Sequence, residues 1–85
     1  MITLYGKPNC PHCVGTENWL DINEISYQKV NVLEDADALA FLKTKGHRTV
    51  PQLYAGDRLL VEGGFSGLQQ MGADALREHL YQKAA

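Results

Sequence analysis

The sequence predicts an α/β fold in the order β-α-β-α-β-β-α, a four-stranded mixed sheet flanked by helices. Three observations carry that prediction. Short runs rich in β-branched and aromatic residues alternate with longer stretches of helical spacing in the first half of the chain. A Gly56-Asp57 step separates two apolar runs in the second half, where a tight hairpin fits. No internal repeat, linker or low-complexity segment interrupts the 85 residues, so one domain spanning 1–85 is expected.

Ile2 to Tyr5 reads as a short buried strand, and Gly6-Lys7-Pro8-Asn9 as a turn-rich loop that delivers Cys10 to the next element. Pro11 suits the first position of a helix, where a missing N–H costs nothing, and Val14, Trp19 and Leu20 supply a core-facing stripe. Gly15 weakens that helix slightly. Ile25 to Val32 partly alternates and is rich in strand formers, so it is the second strand. From Glu34 to Lys45 acidic residues come first and lysines last, with Leu39, Leu42 and Ala38 or Phe41 as the apolar face. Gln52 to Ala55 and Arg58 to Glu62 form the hairpin. After Gly63-Gly64, Ser66 caps a short helical stretch through Met71, and Asp74 to Gln82 carries Leu76, Leu80 and Tyr81 at helical spacing. The tail Lys83-Ala84-Ala85 is expected to fray. The early strands are parallel and need crossover helices, whereas the late pair is antiparallel and needs only a turn.

Composition narrows the function. Ten acidic and eight basic residues give a net charge of −2, and no run of Lys or Arg forms a stripe for nucleic acid. The longest apolar stretches fall far short of the roughly 20 residues that span a bilayer. Met1 opens into a strand-like run with no signal-peptide core, so a cytoplasmic, monomeric protein without nucleic-acid or membrane partners is expected.

Cys10-Pro11-His12-Cys13 is the segment that carries chemistry. Closing so short a ring removes little unfolded-chain entropy, so reactivity explains the spacing better than stabilisation does. A thiolate attacks disulfides, and the N–H groups and positive dipole end of a helix stabilise that anion. In Cys-x-x-Cys motifs the cysteine pKa falls from about 8.5 to roughly 3.5–7.5. Cys10, at the helix start, is therefore the attacking residue; Cys13, one turn deeper, resolves the mixed disulfide. Pro11 holds the turn. Lys7 either adds favourable charge near the thiolate or is a solvated loop lysine, and His12 either supports the thiolate or faces solvent without a role. A zinc half-site is the competing reading of the pair. No second Cys-x-x-Cys is present, and His47 and His79 lack the spacing of a structural zinc site, so no metal ligand set is assigned.

With Tyr5-Gly6-Lys7-Pro8-Asn9-Cys10-Pro11-His12-Cys13, then Thr49-Val50-Pro51, then Gly63-Gly64 before a helix, the chain resembles the glutaredoxin family over essentially its whole length. The resemblance implies a thioredoxin-like fold, a cis peptide before Pro51, and glutathione-dependent thiol-disulfide exchange with no tightly bound cofactor. Val50 would then offer its backbone to an extended substrate. By the same resemblance Lys7, Thr49, Val50, Gly64 and Ser66 hold glutathione, its glycyl carboxylate near Lys7 and its γ-glutamyl end at the helix start after Gly64. Arg48 either assists with the carboxylate or is a solvated loop residue.

Three positions depart from the family pattern. His12 stands where the family usually has Tyr, which points to a more oxidising potential. Gly67 stands where many glutaredoxins have an Asp that pairs with the glutathione amino group. Phe65 follows Gly64, as in glutaredoxin-like proteins that take electrons from thioredoxin reductase. Two further readings therefore stand beside glutathione-driven reduction of protein disulfides, including those of ribonucleotide reductase. One is a redoxin served by thioredoxin reductase; the other is a module holding an iron-sulfur cluster through Cys10. His47, Arg48 and Phe65 are the exposed positions expected to choose the protein partner.

Overall fold

The structure, a computed structural model, describes residues Met1–Tyr81. Eight elements follow one another: β1 Ile2–Gly6, α1 Pro11–Ile22, β2 Tyr27–Asn31, α2 Ala36–Thr44, β3 Gln52–Ala55, β4 Arg58–Leu59, α3 Gly64–Met71 and α4 Ala73–Tyr81. The strands form one mixed sheet in the order β2-β1-β3-β4. Strand β1 runs parallel to β2, with Ile2 opposite Tyr27, and antiparallel to β3, with Leu4 opposite Leu53. The β3–β4 hairpin turns through Gly56-Asp57, Ala55 facing Arg58, and Gly56 takes the positive φ of 63° that the tight turn needs.

Alternation along the strands sends side chains to two cores. On one face Ile2, Leu4 and Leu53 pack with Leu20 of α1, Leu68 of α3 and Leu76 of α4, all essentially inaccessible to solvent. Each such aliphatic side chain contributes on the order of 1.5–3 kcal/mol through burial. On the other face Tyr54 packs with Ala38 and Leu42 of α2 and with Val32, flanked by Tyr5 and Phe41. The Tyr5, Phe41 and Tyr54 rings meet with centroids 5.0–5.9 Å apart. The fold class is the one the sequence predicts, with the last helical region divided into α3 and α4 at Gly72, whose φ is 84°.

Several side chains lie elsewhere than expected. Val14 is 53% exposed: the inward face of α1 is Cys13, Thr16 and Leu20, and Val14 lies a third of a turn round from Cys13. Leu39 stands at the solvent edge of α2, because Ala38 and Leu42 already face the sheet. Ser66 does not cap α3; Gly63 occupies that position with φ 88°, without any side-chain bond, and Ser66 is exposed inside the first turn. Gly15 has a packing reason. A Cβ there would lie 2.7 Å from the Phe65 ring, so the glycine lets α3 close on α1. Gln82 and the tail Lys83-Ala84-Ala85 lie outside the described residues.

Candidate redox site

The loop after β1 places Cys10 at the N-cap of α1. Asn9 adopts a positive φ of 59°, Cys10 is extended, and Pro11 opens the helix. With Pro11 lacking an N–H, the first turn directs the Cys13 amide at sulfur: Cys13 N–H donates to Cys10 Sγ at 3.2 Å. Cys10 and Cys13 form a disulfide, their Cα atoms 5.2 Å apart. Cys13 is buried at 2% exposure against Gly6, where a Cβ would come 3.3 Å from Cys13 Sγ, while Cys10 keeps 7%. Cys10 lines one of the two grooves beside the pair, and Cys13 lines neither. Below the pair, Thr16 is fully buried and its hydroxyl donates to the His12 carbonyl at 2.8 Å. His12 itself is exposed, its ring 6.3 Å from the Phe65 ring.

The segment between α2 and β3 closes the other side. Its Val50–Pro51 peptide is cis, and the Val50 carbonyl oxygen lies 4.0 Å from Cys10 Sγ. Two bonds without any signal in the sequence hold this segment. Buried Gln52 donates from Nε2 to the Thr49 carbonyl at 2.9 Å, and His47 Nε2 meets the Tyr54 hydroxyl at 2.5 Å. Burial, and next the neighbouring Tyr5, raises the Tyr54 pKa above its ordinary value. No periodicity announces a buried glutamine at a strand start, which is why sequence reasoning missed Gln52; Tyr54 at least carries the β-propensity of the core.

Two grooves flank the Thr49-Val50 ridge. The first, about 480 Å³, is lined by His12, Thr49, Val50, Gly64 and Ser66, with Glu62 at its side. The second, about 610 Å³, is lined by Lys7, Cys10, Arg48, Thr49 and Val50 and continues onto α2. The residues predicted to hold glutathione are thereby divided: Gly64 and Ser66 face the first groove, Lys7 the second, and Thr49 and Val50 border both. Phe65 and His47, expected to be exposed, are partly buried; Arg48 is exposed. Gly67 is fixed sterically, since a Cβ there would fall on the Glu62 carbonyl oxygen. Among the described residues no three His, Cys, Asp or Glu side chains gather as a metal site, and no helix is long and apolar enough to cross a membrane.

A family model described as Glutaredoxin matches residues 2–60. The glutaredoxin-like protein NrdH of Lactococcus lactis subsp. cremoris is 30% identical over 57 residues, which is 67% of this chain and 79% of that protein. Two solved structures share the thioredoxin-like fold. The buckwheat glutaredoxin–glutathione complex superposes with a TM-score of 0.74 at 24% identity, covering 93% of this chain and 74% of the other. The NrdH-redoxin of Escherichia coli superposes with a TM-score of 0.71 at 24% identity, covering 99% of this chain and 97% of the other. The family match takes in both cysteines and Thr49-Val50-Pro51, and on it the chain belongs to the glutaredoxin family of thiol-disulfide oxidoreductases.

Proposed function

We propose that this chain reduces protein disulfides and glutathione mixed disulfides by a two-cysteine mechanism, with Cys10 as nucleophile, Cys13 as resolving thiol and glutathione as reductant. The observation that carries the reading is the asymmetry of the pair: Cys10 Sγ receives the Cys13 amide at the helix start, while Cys13 is sealed against Gly6. In the reduced protein the same amide and helix end stabilise a Cys10 thiolate. That thiolate attacks one sulfur of the substrate disulfide, forming a Cys10 mixed disulfide and expelling the other sulfur as a thiolate. Cys13, having lost its proton, then attacks Cys10; the second substrate thiolate leaves, and the protein retains the Cys10–Cys13 disulfide. Two glutathione thiols reverse this: the first attacks Cys10, opening the disulfide to a glutathione mixed disulfide, and the second attacks that bound glutathione sulfur, so that oxidised glutathione leaves, both protein thiols are restored and two electrons pass in each cycle.

Substrate backbone has a natural partner beside Cys10. The Val50 carbonyl borders both grooves and accepts an N–H from an extended segment, in the manner of strand addition. Pro11 sets the first turn, His12 stands at the site mouth, and Pro51 follows the Val50 carbonyl. Lys7, Thr49, Val50, Gly64 and Ser66 are the glutathione contacts this reading needs.

Gly67 favours a second reading, a redoxin that takes electrons from thioredoxin reductase and serves ribonucleotide reductase. A carboxylate at that position, the family's usual partner for the glutathione amino group, would drive its Cβ into the Glu62 carbonyl. The Escherichia coli NrdH-redoxin is described as a glutaredoxin-like protein with a thioredoxin-like activity profile, and the Lactococcus lactis relative is likewise named NrdH. The two readings separate in one assay. NADPH oxidation during disulfide turnover is followed with glutathione and glutathione reductase, and in parallel with thioredoxin reductase. Turnover through glutathione supports the first reading; turnover through thioredoxin reductase alone replaces it with the second.

A further inference from the structure

The larger groove beside Cys10 has a character that thiol-disulfide exchange by itself does not require. Its floor is aliphatic, built from Val32, Leu42 and Val50, and Leu33 and Leu39 stand at its edge with 67% and 36% of their surface in solvent. Its charged lining is Lys7, Lys43 and Arg48, and among the described residues that line it there is no carboxylate. This concentration of positive charge occurs in a chain whose net charge is −2. The groove on the other side of the Thr49-Val50 ridge is the opposite case: Glu62 is its charged residue, and neither cysteine lines it. A segment whose sulfur is to reach Cys10 therefore meets an apolar, cationic surface running towards α2.

We infer that this groove is the docking surface for protein substrates, and that it selects cysteine-bearing segments in which aliphatic and acidic residues flank the cysteine. The inference rests on the proposed Cys10 chemistry and adds the class of partner. Charge complementarity supplies the acidic preference, by drawing the segment to the site and aligning it. The aliphatic preference follows mainly from the edge, because covering Leu33, Leu39 and the half-buried Val50 with another apolar side chain removes their surface from water. Glutathione has carboxylates but no aliphatic side chain, so it leaves Leu33 and Leu39 uncovered, which is why the groove fits a polypeptide better than the tripeptide.

The test uses the full chain, reduced beforehand and freed of reductant, so that the physiological electron donor is irrelevant. Its substrates are disulfide-linked dimers of two capped peptides, one with leucine and glutamate flanking the cysteine, the other with lysine replacing glutamate. In a single turnover the protein dithiol becomes the Cys10–Cys13 disulfide as the dimer becomes two peptide thiols. The acidic dimer should react about tenfold faster at low salt, and the ratio should fall towards one in about 0.5 M salt, where the screening length is only a few ångströms. In the double variant Lys43→Glu with Arg48→Glu the ratio should fall below one. A wild-type ratio near one at low salt, or a ratio the double variant leaves unchanged, overturns the inference. Fluorescence anisotropy with labelled serine-for-cysteine peptides separates docking from chemistry. If neither dimer is reduced yet the acidic serine peptide binds more tightly, and charge reversal removes that preference, the docking surface stands and the redox reading fails. Equal binding of both serine peptides overturns the docking surface.

Discussion

Replacing Cys10 by serine removes the sulfur at the helix start, and turnover of any disulfide substrate should fall about a thousandfold or more. Cys13→Ser leaves that sulfur in place. With glutathione mixed disulfides, which need one protein thiol, it should keep activity within about tenfold of the wild type, while losing activity on protein disulfides that need resolution. Coupled NADPH oxidation on the two substrate types checks both outcomes. A different kind of residue is Gly67. Its Cβ would land on a backbone oxygen, not on the end of a flexible side chain, so Gly67→Ala should lower stability by about 1–3 kcal/mol, read from urea denaturation. The cysteine pair was legible in the sequence because its chemistry is local: four consecutive residues and one helix start. The steric role of Gly67, the Gln52 bond and the His47–Tyr54 bond were not, because each depends on the path the loop backbone takes just before α3 or β3, which residue types and periodicity do not specify.

At the scale of elements, the caps are the most exposed to test. Asp35 accepts the Ala38 N–H at 3.0 Å and starts α2. Asp35→Ala should cost about 1 kcal/mol, measured as a shift in the denaturation midpoint. At the other end of the chain Arg58 of β4 donates to the His79 carbonyl at 2.8 Å and the Leu80 carbonyl at 3.4 Å. It closes the end of α4 with a cation where the helix dipole favours one. Arg58→Ala should therefore speed amide exchange in the last turn of α4 more than in α1. The periodicity that located the helices put Leu20, Leu42 and Leu76 inward but misplaced single positions. Val14 and Leu39 fit apolar stripes on paper, yet Thr16 takes the inward position in α1, and in α2 it is Ala38, one of the two alternatives the spacing left open. A buried threonine is affordable in α1 because its hydroxyl is bonded to the His12 carbonyl. Ser66 misled for a related reason: a serine after Gly63-Gly64 looks like a cap, but the left-handed Gly63 has already begun the helix.

For the molecule as a whole, the order of the strands brings three sequence-distant segments to one end of the sheet: the Cys10 helix start, the Thr49-Val50 ridge and the start of α3. The parallel β1–β2 pair and the antiparallel β3–β4 hairpin were legible from hydrophobic patterning and turn chemistry. The division of the site into two grooves was not, since the ridge between them is set by contacts across the sheet. Half-buried Tyr5 and buried Tyr54 add a pH dependence. Burial, then the Asp35 carboxylate, raises the pKa of Tyr5; burial, then Tyr5, raises that of Tyr54. Unfolded tyrosines ionise near pH 10. The folded protein holds these protons more tightly, so the associated stability is present below about pH 10 and is lost as pH rises through the higher folded values. Denaturation midpoints across pH 9 to 11, in steps of about half a unit, should fall, and Tyr54→Phe should flatten the decline.

The role of Cys10 as nucleophile is tested most directly by trapping. Reduced Cys13→Ser and Cys10→Ser proteins are each mixed with insulin as a disulfide substrate, and the products are resolved by mass spectrometry. A mixed disulfide through Cys10 should accumulate in the Cys13→Ser protein, because no resolving thiol remains, and Cys10→Ser should give essentially none. An adduct through Cys13 in the Cys10→Ser protein, formed as fast as its counterpart, would contradict the assignment of the two sulfurs.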